Sequence, residues 1–225
     1  MKKFFALCAL LLLTAGAARA QFGVVGGYTY SGAALDKEVL QGKGMNGFHA
    51  GVAYKLDLPF VTIQPQLTYE VKGTDVKYDM PGGNVEPSTL ANRSGFLEFG
   101  VGLQGGVDLL AFRPFVLVQP FVGYDVNPKD VYRLAVGKQE VLAVNEALEA
   151  ARNRLEYGFG VGAGIELIDH IQLSVQWFMN LGSLYDAEKL DGTSLVDAVV
   201  SNAVFANYKK IQNYRGLKVT LGLFF

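Results

Sequence analysis

Arg215-Gly216-Leu217-Lys218-Val219-Thr220-Leu221-Gly222-Leu223-Phe224-Phe225 sets two kinds of residue on alternate positions. Leu217, Val219, Leu221, Leu223 and Phe225 share one parity, and Gly216, Lys218, Thr220, Gly222 and Phe224 share the other. Successive side chains of a strand point to opposite faces, so this stretch reads as a strand with one apolar face and one small or polar face. A terminal strand of this kind that closes on an aromatic residue is the usual end of an outer-membrane barrel.

Upstream, seven more segments alternate in the same way. Residues 22–31 set Phe22, Val24, Tyr28 and Tyr30 against Gly23, Gly27, Thr29 and Ser31, and residues 47–56 set Phe48, Ala50, Val52, Tyr54 and Leu56 against His49, Gly51, Ala53 and Lys55. The third segment is the cleanest, with Val61, Ile63, Pro65, Leu67, Tyr69 and Val71 opposite Thr62, Gln64, Gln66, Thr68, Glu70 and Lys72. Residues 95–107, 114–126, 157–167 and 171–182 supply the fourth to seventh, the fifth being mixed because Phe115, Leu117 and Phe121 share a parity with Gln119 and Asp125. Three of the connections need only about three to five residues, whereas residues 32–46, 73–93, 127–154 and 184–214 are long. Short turns alternating with long loops on an even number of strands is the plan of a transmembrane barrel, the short turns facing the periplasm. The expected fold is therefore all-β, an eight-stranded antiparallel transmembrane barrel. Strands of 10 to 13 residues, tilted about 40°, would cover roughly 25–30 Å of membrane normal.

The other end of the chain carries an export signal. Lys2 and Lys3 form a basic start, Phe4 to Leu13 an apolar run too short to span a bilayer as a helix, and Ala18-Arg19-Ala20 a small-x-small cleavage site. Residues 1–20 are thus expected to be a signal peptide and residues 21–225 the barrel domain. Cys8, the one cysteine, lies inside the signal, in a setting unlike a lipoprotein site, so the mature chain has no thiol for disulfides, thiolate metal sites or nucleophilic catalysis. Removing Lys2, Lys3 and Arg19 lowers the basic count from 20 to 17 against 21 acids, about −4 in all, which is no footprint for nucleic acid.

A secreted soluble barrel would show the same alternation with its apolar face inward. The face compositions separate the two: a water-exposed outer wall should be rich in Lys, Glu, Ser and Thr, yet the minority face here is mostly Gly and Gln with scattered charges. Small residues and a few polar partners are what the narrow lumen of eight strands can hold. Tyr28, Tyr30, Tyr54, Tyr69, Tyr124, Tyr157 and Trp177 fall on the outward parity, as an aromatic girdle at headgroup depth would. Lys55, Glu70, Lys72, Glu98, Asp125, Glu166, Arg215 and Lys218 are assigned to the lumen, where charges are costly unless paired, so an internal salt-bridge network and a plugged bore are expected. Leu221, Leu223 and Phe225 are the expected assembly signal.

Phe22-Gly23-Val24, Gln64-Pro65-Gln66-Leu67-Thr68-Tyr69 with Lys72-Gly73, Phe96-Leu97-Glu98, Arg113-Pro114-Phe115, residues 158–166 and Asn180-Leu181-Gly182 resemble the strand signatures of small PorT-like outer-membrane barrel proteins, often labelled porin family. The resemblance rests on segments from six of the eight strands. It departs in the fourth, where Gly100-Val101 follows Glu98 without the expected proline, and in the long third and fourth loops. It implies an outer-membrane location, recognition by the barrel-insertion machinery, and a role beside a protein-secretion system as one alternative.

Catalysis would need a nucleophile with an oriented base, and the chain has two histidines, His49 on the lumen parity near the outer rim and His170 in a periplasmic turn. Ser31 or Ser183 beside His49 would be the pair of a lipid-modifying enzyme, but neither Gly-x-Ser-x-Gly nor His-Glu-x-x-His occurs. In the loops, Val141, Val144, Leu148 and Ala151, and Val196, Val199, Val200 and Ala203 after the N-cap candidate Ser194, recur at helical spacing. Such stripes suit either rim packing or a partner surface. Asp186, Glu188 and Asp191 lack EF-hand spacing and read as a solvated acidic loop. The reading that results is a monomeric, non-enzymatic barrel without cofactor, embedded in outer-membrane lipid. Its roles are structural, or contact with an extracellular or periplasmic protein through loops 3 and 4.

Overall fold

Alternation with a period of two is realised as eight strands: β1 (Arg19–Ala33), β2 (Leu40–Asp57), β3 (Thr62–Tyr78), β4 (Ser88–Gly106), β5 (Phe112–Arg133), β6 (Leu155–Leu167), β7 (Ile171–Asn180) and β8 (Tyr214–Phe224). The structure is a computed structural model and describes residues 19–33, 40–78, 88–133, 152–182 and 213–225. Each strand pairs antiparallel with the next, and β1 pairs with β8 from Gly23↔Phe224 to Ala33↔Tyr214, closing the barrel. Closure matters because an open edge would leave unpaired backbone groups in hydrocarbon.

The faces are inverted relative to a soluble protein. Val161 is 39% and Leu221 48% exposed, while Lys55, Glu70 and Lys72 are fully buried. On β5, the mixed strand, Phe115, Leu117, Gln119, Phe121 and Asp125 all turn inward, so aromatic rings share the lumen with polar groups. A column of glycines on β6 makes room for them. A Cβ at Gly158 would lie 2.6 Å from Phe121 Cζ, and one at Gly164 2.4 Å from Phe115 Cζ.

Two boundaries differ from the sequence expectation. Parts of the expected long loops are strand: β2 and β3 remain paired out to Leu40↔Tyr78, and β4 and β5 out to Thr89↔Arg133. Backbone pairing does not stop at the membrane surface, but the lipid that enforces apolar alternation does, so these extensions leave no periodic trace. At the other end, β1 begins at Arg19 instead of Phe22, with Arg19 and Ala20 opposite Asp57 and Leu56. The helical recurrences at 141–151 and 196–203, Ser183, Ser194, and Asp186, Glu188 and Asp191 lie outside the described residues.

The short turns carry the backbone strain. Ile168 (φ 53°) and Asp169 (φ 60°) are the two central residues of the turn between β6 and β7, and Leu110 (φ 45°) stands in the turn before β5. Positive φ at both central positions twists a tight hairpin in the sense of its strands, a conformation that favours Asn-Gly and penalises a β-branched residue.

Candidate functional site

The lumen is where the sequence's charges converge. Glu70 and Lys72 lie two residues apart on β3 and so share its inward face, where they meet Glu98 of β4, Glu156 of β6 and Lys218 of β8. Lys72 Nζ donates to Glu98 Oε2 at 2.7 Å and to Glu156 Oε1 at 2.9 Å, and lies 3.3 Å from Glu70 Oε2. Lys218 Nζ donates to Glu70 Oε2 at 2.6 Å and to Glu98 Oε1 at 2.9 Å. Thr29 Oγ1 donates to Glu70 Oε1 at 3.1 Å, and Asn180 Nδ2 donates to Glu156 Oε2. Three rings close the cluster. Lys72 Nζ lies 5.3, 4.7 and 5.0 Å from the centroids of Phe96, Phe121 and Phe178, and Lys218 Nζ lies 5.2 and 4.9 Å from those of Phe121 and Phe178. Buried ammonium groups are stabilised here both by carboxylates and by the negative faces of the rings.

Towards the extracellular end, Arg152 Nε lies 2.9 Å from Asp125 Oδ2, and its Nη2 reaches Tyr214 Oη at 3.3 Å and donates to Ser94 Oγ. Towards the periplasm, Gln104 Nε2 donates to Gln64 Oε1 at 2.8 Å and Gln172 Nε2 to Gln104 Oε1 at 3.1 Å. Below that belt Lys55 Nζ bonds Glu166 Oε1 at 2.5 Å and the Asp169 carbonyl at 3.1 Å, 5.3 Å from the Phe224 centroid. Glu166 Oε2 also lies 3.7 Å from Arg113 Nη1, at the edge of a cavity of about 720 Å³ in the periplasmic mouth, which Asp57, Asp108 and Asp169 help to line.

Of the eight charges assigned to the lumen, seven are buried there and joined to partners of opposite charge. Arg215 is the exception. It is exposed and points outward, because it stands three residues from Lys218 on an unbulged strand and must take the opposite face. Sequence reading missed Glu156 and Arg152. Glu156 continues the inward parity of Gly158 and Glu166 and was legible; Arg152 precedes β6 and carries no periodic signal.

His49 sits at mid-depth rather than near the outer rim: its Nε2 is 2.9 Å from Thr220 Oγ1, halfway along β8, and its Nδ1 is 3.0 Å from Thr29 Oγ1. Both ring nitrogens are engaged by threonines, and Ser31 Oγ is turned to the Gly73 backbone instead. His170 is in the β6–β7 turn, its Nδ1 2.5 Å from the Ile168 carbonyl oxygen. Among the described residues, no group of three or more His, Cys, Asp or Glu could hold a metal ion.

On the outer wall, Tyr28, Tyr54, Tyr124, Tyr157 and Trp177 are exposed, as is Tyr30, and the half-buried Tyr69 ring meets that of Phe48 at a tilt, centroids 6.3 Å apart. Leu221, Leu223 and Phe225 face outward too, and the Phe225 amide donates to the Phe22 carbonyl at 2.8 Å across the β1–β8 seam.

Comparison with protein families matches residues 5–196 to the outer membrane protein beta-barrel domain. A comparison with solved structures finds the crystal structure of Neisserial surface protein A (NspA), at 11% identity and a TM-score of 0.41, over 91% of this chain and 98% of that one. No curated protein matches the chain. The chain belongs to the outer-membrane beta-barrel domain family, a broader group than the PorT-like one its strand signatures resemble, and it is an outer-membrane protein.

Proposed function

From this membership we propose that the protein is a sealed, non-enzymatic barrel. Its lumen network stabilises and plugs the bore, and its contacts with other molecules are made by its extracellular segments. The observation that carries the reading is the five-membered cluster of Lys72, Lys218, Glu70, Glu98 and Glu156 lying among Phe96, Phe121 and Phe178. Ions paired at these distances resist exchange with a passing solute, because each would have to be left uncompensated in a low-dielectric bore. His49 fits a structural role in the same network, since Thr29 links its ring to Glu70 and Thr220 takes up the other ring nitrogen.

Planar-bilayer recording tests the seal: the purified barrel should give no porin-like conductance, and steady channels of that size would overturn the reading. Partner contact through loops 3 and 4 is tested by pull-down from intact cells, comparing the full protein with variants lacking residues 138–150 or 184–212. Capture that survives both deletions would remove that role. Placement among PorT-like proteins is supported by Gln64 to Tyr69 and by Arg113-Pro114-Phe115, and would put the barrel beside a secretion system. Unimpaired secretion in a deletion strain would exclude it.

A further inference from the structure

The outer wall carries a groove of about 310 Å³ beyond the extracellular side of its lipid-facing belt, lined by Phe48, Tyr69, Val71, Arg93, Gly95 and Asn127 among others. Val71, on the outward parity of β3, is only 5% exposed and forms the floor. Gly95 makes the shape: a Cβ there would stand 2.2 Å from the Tyr69 hydroxyl, so the phenol can lie along β4 only because that position has no side chain. Arg93 follows on the same outward parity, two residues or about 7 Å further from the bilayer centre along the strand. Its side chain is exposed and makes no ion pair with another described residue.

We propose that this groove binds a phosphorylated lipid of the outer leaflet, one acyl chain lying against the outer faces of the Phe48 and Tyr69 rings above Val71 and the phosphate meeting the Arg93 guanidinium. Leu97, two positions from Gly95 on the same outward parity, is 45% exposed, so the groove's inner end adjoins the lipid-facing wall. An arginine above an aromatic girdle stands at headgroup depth, where its planar fork matches a phosphate through two parallel hydrogen bonds. Asn127 offers a further polar contact on the opposite lip. The site is distinct from the lumen and from the extracellular loops, and holds whether or not the bore is sealed. Arg215 supplies the internal control, being equally outward and exposed on β8 but not among the residues that line this groove.

The test uses the barrel purified in detergent and mixed with a multiply acylated, phosphorylated glycolipid, retained lipid being counted by native mass spectrometry. Arg93→Gln should lower retention about tenfold, the scale of one charge-assisted contact, while Arg215→Gln leaves it unchanged. Gly95→Val, which displaces Tyr69, should lower it with the arginine intact, and a dephosphorylated glycolipid should bind wild type and Arg93→Gln alike. Heat-modified gel migration verifies that each variant is folded. Equal retention by Arg93→Gln and wild type would overturn the site, as would equal losses from Arg93→Gln and Arg215→Gln, which would mean unspecific attraction between cations and lipid.

Discussion

Two of the lumen's charged layers, that of Lys72 and Lys218 above and that of Lys55 below, are built from the same residue types and differ in what surrounds them. Around Lys72 and Lys218, three carboxylates are walled by Phe96, Phe121 and Phe178, and every ionised group is at most 6% exposed at its side chain. Around Lys55 the partner Glu166 opens on the periplasmic cavity, Asp57 is 31% exposed, and Arg113 stands by as a second cation. The upper layer depends on exact charge pairing because water cannot replace a missing partner. In the lower layer solvent is near enough to do so. Stability and sealing should therefore reside in the upper layer, with the lower one acting as a vestibule.

The largest effect should come from breaking the upper layer. Lys72→Met leaves Glu98 and Glu156 short of their shared donor and should cost about 3–5 kcal/mol, the usual penalty for orphaning buried charge. Urea unfolding in lipid vesicles, followed by fluorescence of Trp177, the one tryptophan, reads this directly. Adding Glu156→Gln removes one orphaned carboxylate, so the double variant should be more stable than the single one. If it is not, the cluster does not act as a coupled unit.

Lys55→Met at the other layer should cost less, about 1–3 kcal/mol, because Glu166 keeps Arg113 and gains water from the cavity. The same urea titration compares the two. A penalty equal to that of Lys72→Met would erase the distinction between a sealed layer and a vestibule.

Why one layer was easier to foresee than the other follows from how parity works. Glu70, Lys72 and Glu98 stand on strands whose outward faces are unbroken apolar runs, so their inward direction could be read off the chain. Arg215 was misassigned although its parity was legible: Leu217, two residues on, shares its outward face, and counting three residues to Lys218 gives the same answer. Arg152 could not have been found, since it enters the lumen from a segment that precedes β6 and its partner Asp125 lies 27 positions earlier on β5. The strand extensions past the alternating segments were hidden for the complementary reason: pairing there is held by backbone hydrogen bonds, which leave no mark on side-chain composition. The lipid groove was equally illegible, because it arises from Tyr69 lying over Gly95, two residues on neighbouring strands with no pattern in common.

The vestibule end also holds the smallest predicted effect, and one of opposite sign. The β6–β7 turn places Ile168 at φ 53° and Asp169 at φ 60°, and the His170 amide closes it on the Leu167 carbonyl at 3.1 Å. Aspartate tolerates that region, whereas a β-branched side chain crowds its own backbone there. Ile168 is 73% exposed, so it gains little burial to offset the strain. Ile168→Asn should therefore raise stability by about 0.5–1 kcal/mol, and Asp169→Gly by a similar amount, seen as a higher urea midpoint at unchanged slope. Neither residue contributes a side chain to the upper cluster, so either change should add to Lys72→Met without coupling. A loss of stability from Ile168→Asn would mean that the exposed isoleucine is held by contacts at the membrane surface, and the periplasmic end would then be anchored by lipid instead of being a solvated mouth.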